Sequence, residues 1–280
     1  MSNGLYNGLD NGLQKGAYSG MSGGVSNGLF NNETYKKDIT KSDLKIYFSP
    51  EKQNSYVYNK SIIYDLSLNC FRGTIVGAVT QNPQSKGLIF NGSNTSIITN
   101  LPYNANGNIL DYISTTRVTT GVWVKYTASQ VSLCVNKRTG DGAIYRYSSI
   151  GIGIMGTALF GSAGTKIGTY SGIYTGNTAD QRAIISTKSY NDNKWHYVVL
   201  VCGKSFDTLY IDGEFIGNSN ITANWGVGGA SPLYLGSLSN YPNPSALYYS
   251  GELGDFHYYL TELTQGEIYK NYITTKPYHT

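Results

Sequence analysis

From about residue 40 onward, short β-branched and aromatic stretches, several of them alternating apolar and polar, are separated by Gly, Asn and Pro. A period of two puts alternate side chains on opposite faces of a strand. Among them are Thr119 to Tyr126 and His196 to Cys202. Others are Lys45 to Phe48, Ser61 to Tyr64, Gly87 to Phe90, Thr95 to Thr99, Ser132 to Asn136, Ile150 to Met155, Thr208 to Ile211, Leu233 to Gly236 and Glu252 to Tyr259. Many short strands separated by turn residues predict an all-β sandwich or barrel. Asp212-Gly213, between two alternating stretches, predicts a hairpin, because both turn positions need the positive φ that Asp and Gly tolerate. Trp123 and Trp195 are expected to fill the space between two sheets about 10 Å apart. A helical signal appears at the end, where Thr264 and Glu267 form a capping box before Ile268, Tyr269 and Tyr272, enough for one or two turns. The segment Tyr103 to Ser114 and the Gly/Tyr-rich insertion from Gly161 to Asn191 are expected to project as loops.

Ahead of this body the period changes from two to four. Glycines at 4, 8, 12, 16, 20, 24 and 28 are each followed by an apolar residue: Leu5, Leu9, Leu13, Ala17, Met21, Val25 and Leu29. Asn precedes Gly at Asn3, Asn7, Asn11 and Asn27, and Asn-Gly readily turns the chain, so each unit is a turn with one apolar anchor. A helix is excluded, since Gly at every fourth position costs about 1 kcal/mol each against Ala. A self-sufficient core is excluded too, because one apolar side chain must offset the ordering of four residues at roughly 1–2 kcal/mol apiece. A flexible linker has no need of periodic anchors. Residues 1–39 therefore read as an anchoring arm, with Leu5, Leu9, Leu13, Met21, Val25 and Leu29 seating on other proteins, and residues 40–280 as the folded domain. Asn-Gly-Leu tracts of this kind resemble those at the start of bacteriophage virion proteins.

Composition narrows the classes further. Only 14% of residues are charged, while 34 are Gly and 26 are Tyr, which disfavours charged helical bundles and coiled coils. A net charge of +4, spread without long runs, gives no electrostatic footprint for nucleic acid or an anionic membrane. Cys70, Cys134 and Cys202 are too few and too far apart for a disulfide scaffold and are expected to be buried reduced thiols. With no apolar leader at the N-terminus and no long apolar run, the chain is expected to be soluble and made in a cytoplasm.

Several segments together carry a family resemblance. They are Lys194 to Val199, Leu209 to Glu214, Pro232 to Gly236, Tyr249 to Phe256 and Leu263 to Tyr272, preceded by Asp65 to Asn69, Leu88 to Gly92 and Thr119 to Tyr126. In this order they resemble the laminin G-like, concanavalin A-like lectin/glucanase jelly roll, from about Lys45 to Tyr272. The resemblance implies a two-sheet antiparallel sandwich. It also implies a structural calcium at Asp255, held by that carboxylate and backbone carbonyls from the opposite chain end. An Asp hydrogen-bonded to a turn is the alternative, and no cofactor is required.

Glycan cleavage in this superfamily needs two carboxylates flanking the bond. The Glu-x-Asp-x-x-Glu triplet of the related laminarinases does not occur in this sequence. Asp212 and Glu214 sit at the hairpin turn, and His196, His257 and His279 form no recognisable catalytic or metal pattern. Gly151 to Gly156 spells a dinucleotide fingerprint, but more glycines follow where a helix should open, so a Gly-rich strand is expected. Sequons at Asn32, Asn59, Asn91, Asn94 and Asn220 are what an Asn/Ser/Thr-rich chain produces by chance. The chain is expected to be non-enzymatic.

Trp225 in Ala223 to Val227, and Tyr241, Tyr248 and Tyr249 around Pro242 and Pro244, place aromatic faces on loops, where they suit sugar stacking or protein contact. Filling between loops is the alternative. Two functions follow. One is a virion structural protein, for capsid decoration, a head fibre or the tail, assembled in the host cytoplasm. In it the arm binds other virion proteins and an oligomeric jelly roll faces outward, touching host glycans. The other is a free carbohydrate-binding, lectin-like module.

Overall fold

The computed structural model describes residues 39–58, 60–101, 117–139, 147–156, 163–174, 181–203, 205–219, 232–238 and 247–279. The arm anchors Leu5, Leu9, Leu13, Met21, Val25 and Leu29, the segment Tyr103 to Ser114, and Trp225 and Tyr241 lie outside the described residues. All elements below belong to the second of two compact units, Ser42–Thr280.

Two antiparallel sheets form a jelly-roll sandwich. Sheet A runs in the order β14 (Glu214–Asn218), β13 (Asp207–Ile211), β12 (His196–Cys202), β7 (Val118–Lys125), β16 (Ser250–Tyr259), β5 (Leu88–Asn91) and β4 (Thr80–Gln81). Beyond β5, the other half of β16 pairs with β1 (Leu44–Phe48), so β1 and β5 lie end to end along one strand. Sheet B runs β11 (Gln181–Ser189), β10 (Lys166–Tyr174), β9 (Tyr147–Met155), β8 (Ser132–Thr139), β15 (Leu233–Leu235), β6 (Ser96–Thr99), β3 (Arg72–Val76) and β2 (Ile62–Tyr64). All eleven stretches read from periodicity lie on strands. Gly151 to Met155 belong to β9, the Gly-rich strand expected there.

The core between the sheets takes alternate residues of each strand: Val122 and Val124 of β7, Val198 and Leu200 of β12, and Leu253 and Phe256 of β16, where a register shift lies between them, face Ile63, Ile97, Val135, Ile152 and Leu233. Each such burial contributes about 1.5–3 kcal/mol. The opposite parity of β7 carries Trp123, and Trp195 immediately precedes β12 on the same side. Trp123, Trp195, Tyr197 and Val199 form a second apolar cluster with Leu263 and Ile268 on the outer face of sheet A. The tryptophans are therefore buried, but not between the sheets. They lie under the C-terminal helix α1 (Gln265–Thr275), whose Tyr272 stacks on Trp123 with ring centroids 5.7 Å apart.

At the start of α1, Thr264 Oγ1 accepts from Glu267 N, and Glu267 Oε2 accepts from Thr264 N at 2.8 Å, the reciprocal pair of a capping box. The helix has 11 residues instead of one or two turns, because the face carrying Ile268 and Asn271 packs on sheet A and tertiary burial extends what propensity alone would not. Asp212 (φ 55) and Gly213 (φ 82) make the expected hairpin between β13 and β14.

Two further expectations need correction. The insertion from Gly161 to Asn191 is not merely loop: it supplies β10 and β11, which extend sheet B beyond β9. Cys70 is exposed, with φ 58, whereas Cys134 and Cys202 are buried and form no disulfide.

Candidate functional site

Pairing along β16 shifts register between Leu253 and Phe256, which leaves Gly254 and Asp255 as a bulge where β5 ends and β1 has not begun. A bulge re-aims a side chain, and here it turns Asp255 away from the sandwich core, fully buried under the C-terminal tail. Gly254 admits the tail: a Cβ there would come within 2.3 Å of His279 Cε1. The His279 ring lies 4.6 Å from Trp123 and 4.8 Å from Trp195, centroid to centroid.

Three ionisable side chains converge at this point. His279 Nδ1 lies 3.2 Å from Glu51 Oε1, and His279 Nε2 lies 3.9 Å from Asp255 Oδ2. The Tyr47 hydroxyl donates to Asp255 Oδ2 at 3.2 Å and accepts from Lys52 Nζ at 2.9 Å. Burial, followed by the nearby negative charge of Asp255, pushes the Glu51 carboxyl up to about 9. Burial also raises Asp255, but hydrogen bonding and the charge of His279, with smaller contributions from His257 and Lys52, outweigh it, and the net shift is downward. Beside this cluster His257 stacks on Tyr47 at 4.6 Å, and its Nδ1 lies 3.2 Å from the Tyr197 hydroxyl. Burial holds the His257 imidazole down to about 4, so it is neutral.

The calcium implied at Asp255 does not fit these donors. Calcium takes six to eight oxygens. The groups gathered around Asp255 include an imidazole as well as a carboxylate and a phenol, and the ring occupies the space beside the bulge.

Other carboxylates are engaged in structural pairs. Glu252 binds Lys125 Nζ at 3.1 Å and accepts from Asn82 and Ser85. Asp212 accepts from Tyr197 N at 2.8 Å and holds His196 Nδ1 at 2.8 Å, with Asp192 on His196 Nε2 at 3.1 Å. Burial of His196 opposes its charge, but the two carboxylates prevail and its pKa is raised.

Of the aromatic residues expected at the rim, Tyr248 is half-buried. Tyr249 is not a rim residue. It is fully buried, its ring lies edge-on to Phe90 at 6.2 Å, and its hydroxyl donates to Lys125 O at 3.0 Å. Two residues earlier, Leu247 has φ 42. Glu51 and His279 were not legible as partners of Asp255. One lies in a turn and the other beyond the last helix, and neither carries a periodic or spacing signal.

This arrangement, two antiparallel sheets with a helix closing the outer face of one of them, defines a lectin-like jelly roll. The concanavalin A-like lectin/glucanases superfamily, in its laminin G-like branch, matches residues 91–269, and the chain belongs to it. Among solved structures, it is similar to the binding domain of botulinum neurotoxin serotype D, with 16% identity over 83% of this chain and 51% of that one and a TM-score of 0.57. It is also similar to the binding domain of Paraclostridial Mosquitocidal Protein 1, with 16% identity, 83% and 52% coverage and a TM-score of 0.57. A third is the binding domain of botulinum neurotoxin DC in complex with rat synaptotagmin II, with 15% identity, 84% and 51% coverage and a TM-score of 0.57. The chain spans about half the length of these structures. No curated protein matches it.

Proposed function

We propose that this chain is a non-enzymatic virion structural protein whose arm, residues 1–39, anchors it among other virion proteins and whose jelly roll is displayed on the virion surface as a binding domain. The observation that carries this reading is the juxtaposition of seven Gly-apolar tetrads with a lectin-like sandwich. Periodic single anchors cannot form a core of their own and need surfaces supplied by other proteins. Deleting residues 1–38 should leave the jelly roll folded, with an unchanged thermal transition, and abolish incorporation into particles. Full incorporation of the truncated protein would overturn the anchoring role.

The binding half of the proposal draws support from the likeness to toxin binding domains, one of them solved in complex with SialylT. The same likeness favours the second reading, a free carbohydrate-binding module. Glycan-array binding by the protein, together with a failure to co-purify with any particle, would select that alternative. The engagement of Glu252 and Asp212 in ion pairs supports the absence of glycosidase activity. Release of reducing ends from a β-glucan, lost in Glu252→Gln, would refute it.

A further inference from the structure

We propose that Glu51, Asp255 and His279 form a binding site for one divalent d-block cation of the zinc class, with the C-terminal tail supplying its nitrogen donor. One donor atom from each residue lies within 4.8 Å of the other two. The Asp255 and His279 side chains are fully buried and that of Glu51 is nearly so. Asp255 Oδ1 is buried without a hydrogen-bond partner, and Glu51 Oε1 and His279 Nδ1 stand 3.2 Å apart without forming a hydrogen bond. Buried polar atoms are rarely left unpaired, and an orphaned carboxylate oxygen beside this unbonded contact points to a missing common partner.

The donor chemistry selects the ion. Two carboxylates and an imidazole suit zinc and its neighbours, whereas calcium and magnesium favour oxygen alone. A tetrahedral site with bonds of about 2.0–2.2 Å keeps its donors about 3.3–3.6 Å apart. Glu51 Oε1 and His279 Nδ1 already stand at 3.2 Å, and closure brings the Asp255 carboxylate, now 3.9 Å from His279 Nε2, toward that pair. The titratable neighbours are Lys52, which donates to Tyr47, and His257, which meets the Tyr197 hydroxyl, and neither supplies a third anion. The ring is held for this role by Trp123 and Trp195 and by the space at Gly254. Bound, the ion would clip together the turn after β1, the bulge of β16 and the tail.

The test uses the full chain, freed of metal with a chelator and titrated calorimetrically with zinc chloride and, separately, calcium chloride, with cobalt(II) as a spectroscopic probe. The expected result is one zinc per chain, no displacement by calcium, and the visible absorption of tetrahedral cobalt. Glu51→Gln, an isosteric change at the most accessible of the three positions, should weaken zinc at least tenfold, and His279→Gln should abolish the cobalt band. No zinc uptake by the unaltered chain, or equal affinity in Glu51→Gln with its fold intact by circular dichroism, would overturn the site. Stoichiometric displacement of zinc by calcium would overturn the choice of ion. If His279→Gln does not fold, the Glu51→Gln affinity and the cobalt spectrum of the unaltered chain decide.

Discussion

Trp123 Nε1 donates to Thr275 Oγ1 at 2.8 Å, and that hydroxyl donates in turn to Asn271 O at 2.8 Å, so the middle of sheet A is hydrogen-bonded to the last turn of α1. Both residues are buried, and the indole N–H has no water to fall back on. Thr275→Val keeps the shape and removes the acceptor. It should cost about 1–3 kcal/mol, the penalty of an orphaned buried donor. Urea unfolding monitored by tryptophan fluorescence measures this, and an unchanged midpoint would deny the bond an energetic role.

Acid should destabilise the protein through His257. Its pKa is near 6.5 in the unfolded chain and about 4 when folded, so as pH falls the unfolded state takes up the proton first. Stability is complete above pH 6.5 and declines toward pH 4, by about 3 kcal/mol for a shift of this size. Unfolding free energies compared at pH 7 and pH 4.5 should show a steeper loss in the unaltered chain than in His257→Gln.

His196 should act in the opposite sense. Its raised pKa means that the folded state holds the proton more tightly, so its contribution is full below pH 6.5 and is lost as pH rises through the folded value. His196→Gln should therefore destabilise the β13–β14 hairpin more at pH 5.5 than at pH 9. Equal effects at both values would show that the two carboxylates do not hold a charged imidazole.

Thiol chemistry should separate the cysteines. Cys70 is exposed, while burial pushes the Cys134 thiol far up and Cys202 is buried in the core. Ellman titration of the native protein should count one fast thiol, rising to three in guanidinium. Cys70→Ser should remove the fast one.

Aromatic substitutions should distinguish rim from core. Tyr249→Phe removes a buried hydroxyl and should lower stability by about 1 kcal/mol with no effect on ligand binding. Trp225→Ala should weaken glycan-array or host-surface binding several-fold with little change in melting temperature. The reverse outcome for Trp225 would place it among the structural residues.

What could be read from the chain followed the binary pattern, and what could not broke it in identifiable ways. Strands such as β7 and β12 are long β-branched and apolar runs, so their extents were visible, but both of their faces are covered and the pattern does not say which cover is the opposing sheet. That is why Trp123 appeared to face sheet B instead of α1. In β10 the inward parity carries Thr169 and Ser171, both fully buried, with Ser171 donating to buried Asp207. A strand with hydroxyls inside looks like a loop. The capping box of α1 is local and was legible. The Glu51, Asp255 and His279 cluster is assembled from distant segments by a bulge, and bulges leave no mark in composition.

The position of β16 also governs when the fold can close during synthesis. Leu44 pairs with Tyr259, and the same strand is the neighbour of β5 and β7, so three earlier strands wait for a partner made almost last. Ribosomes add only about 5–20 residues per second, which leaves those edges bare for many seconds. Over that interval they are templates for pairing with other chains. Yield in the cell should thus depend on chaperone supply and translation rate more than on the final stability of the domain. A product ending before Ser250 should accumulate in inclusion bodies.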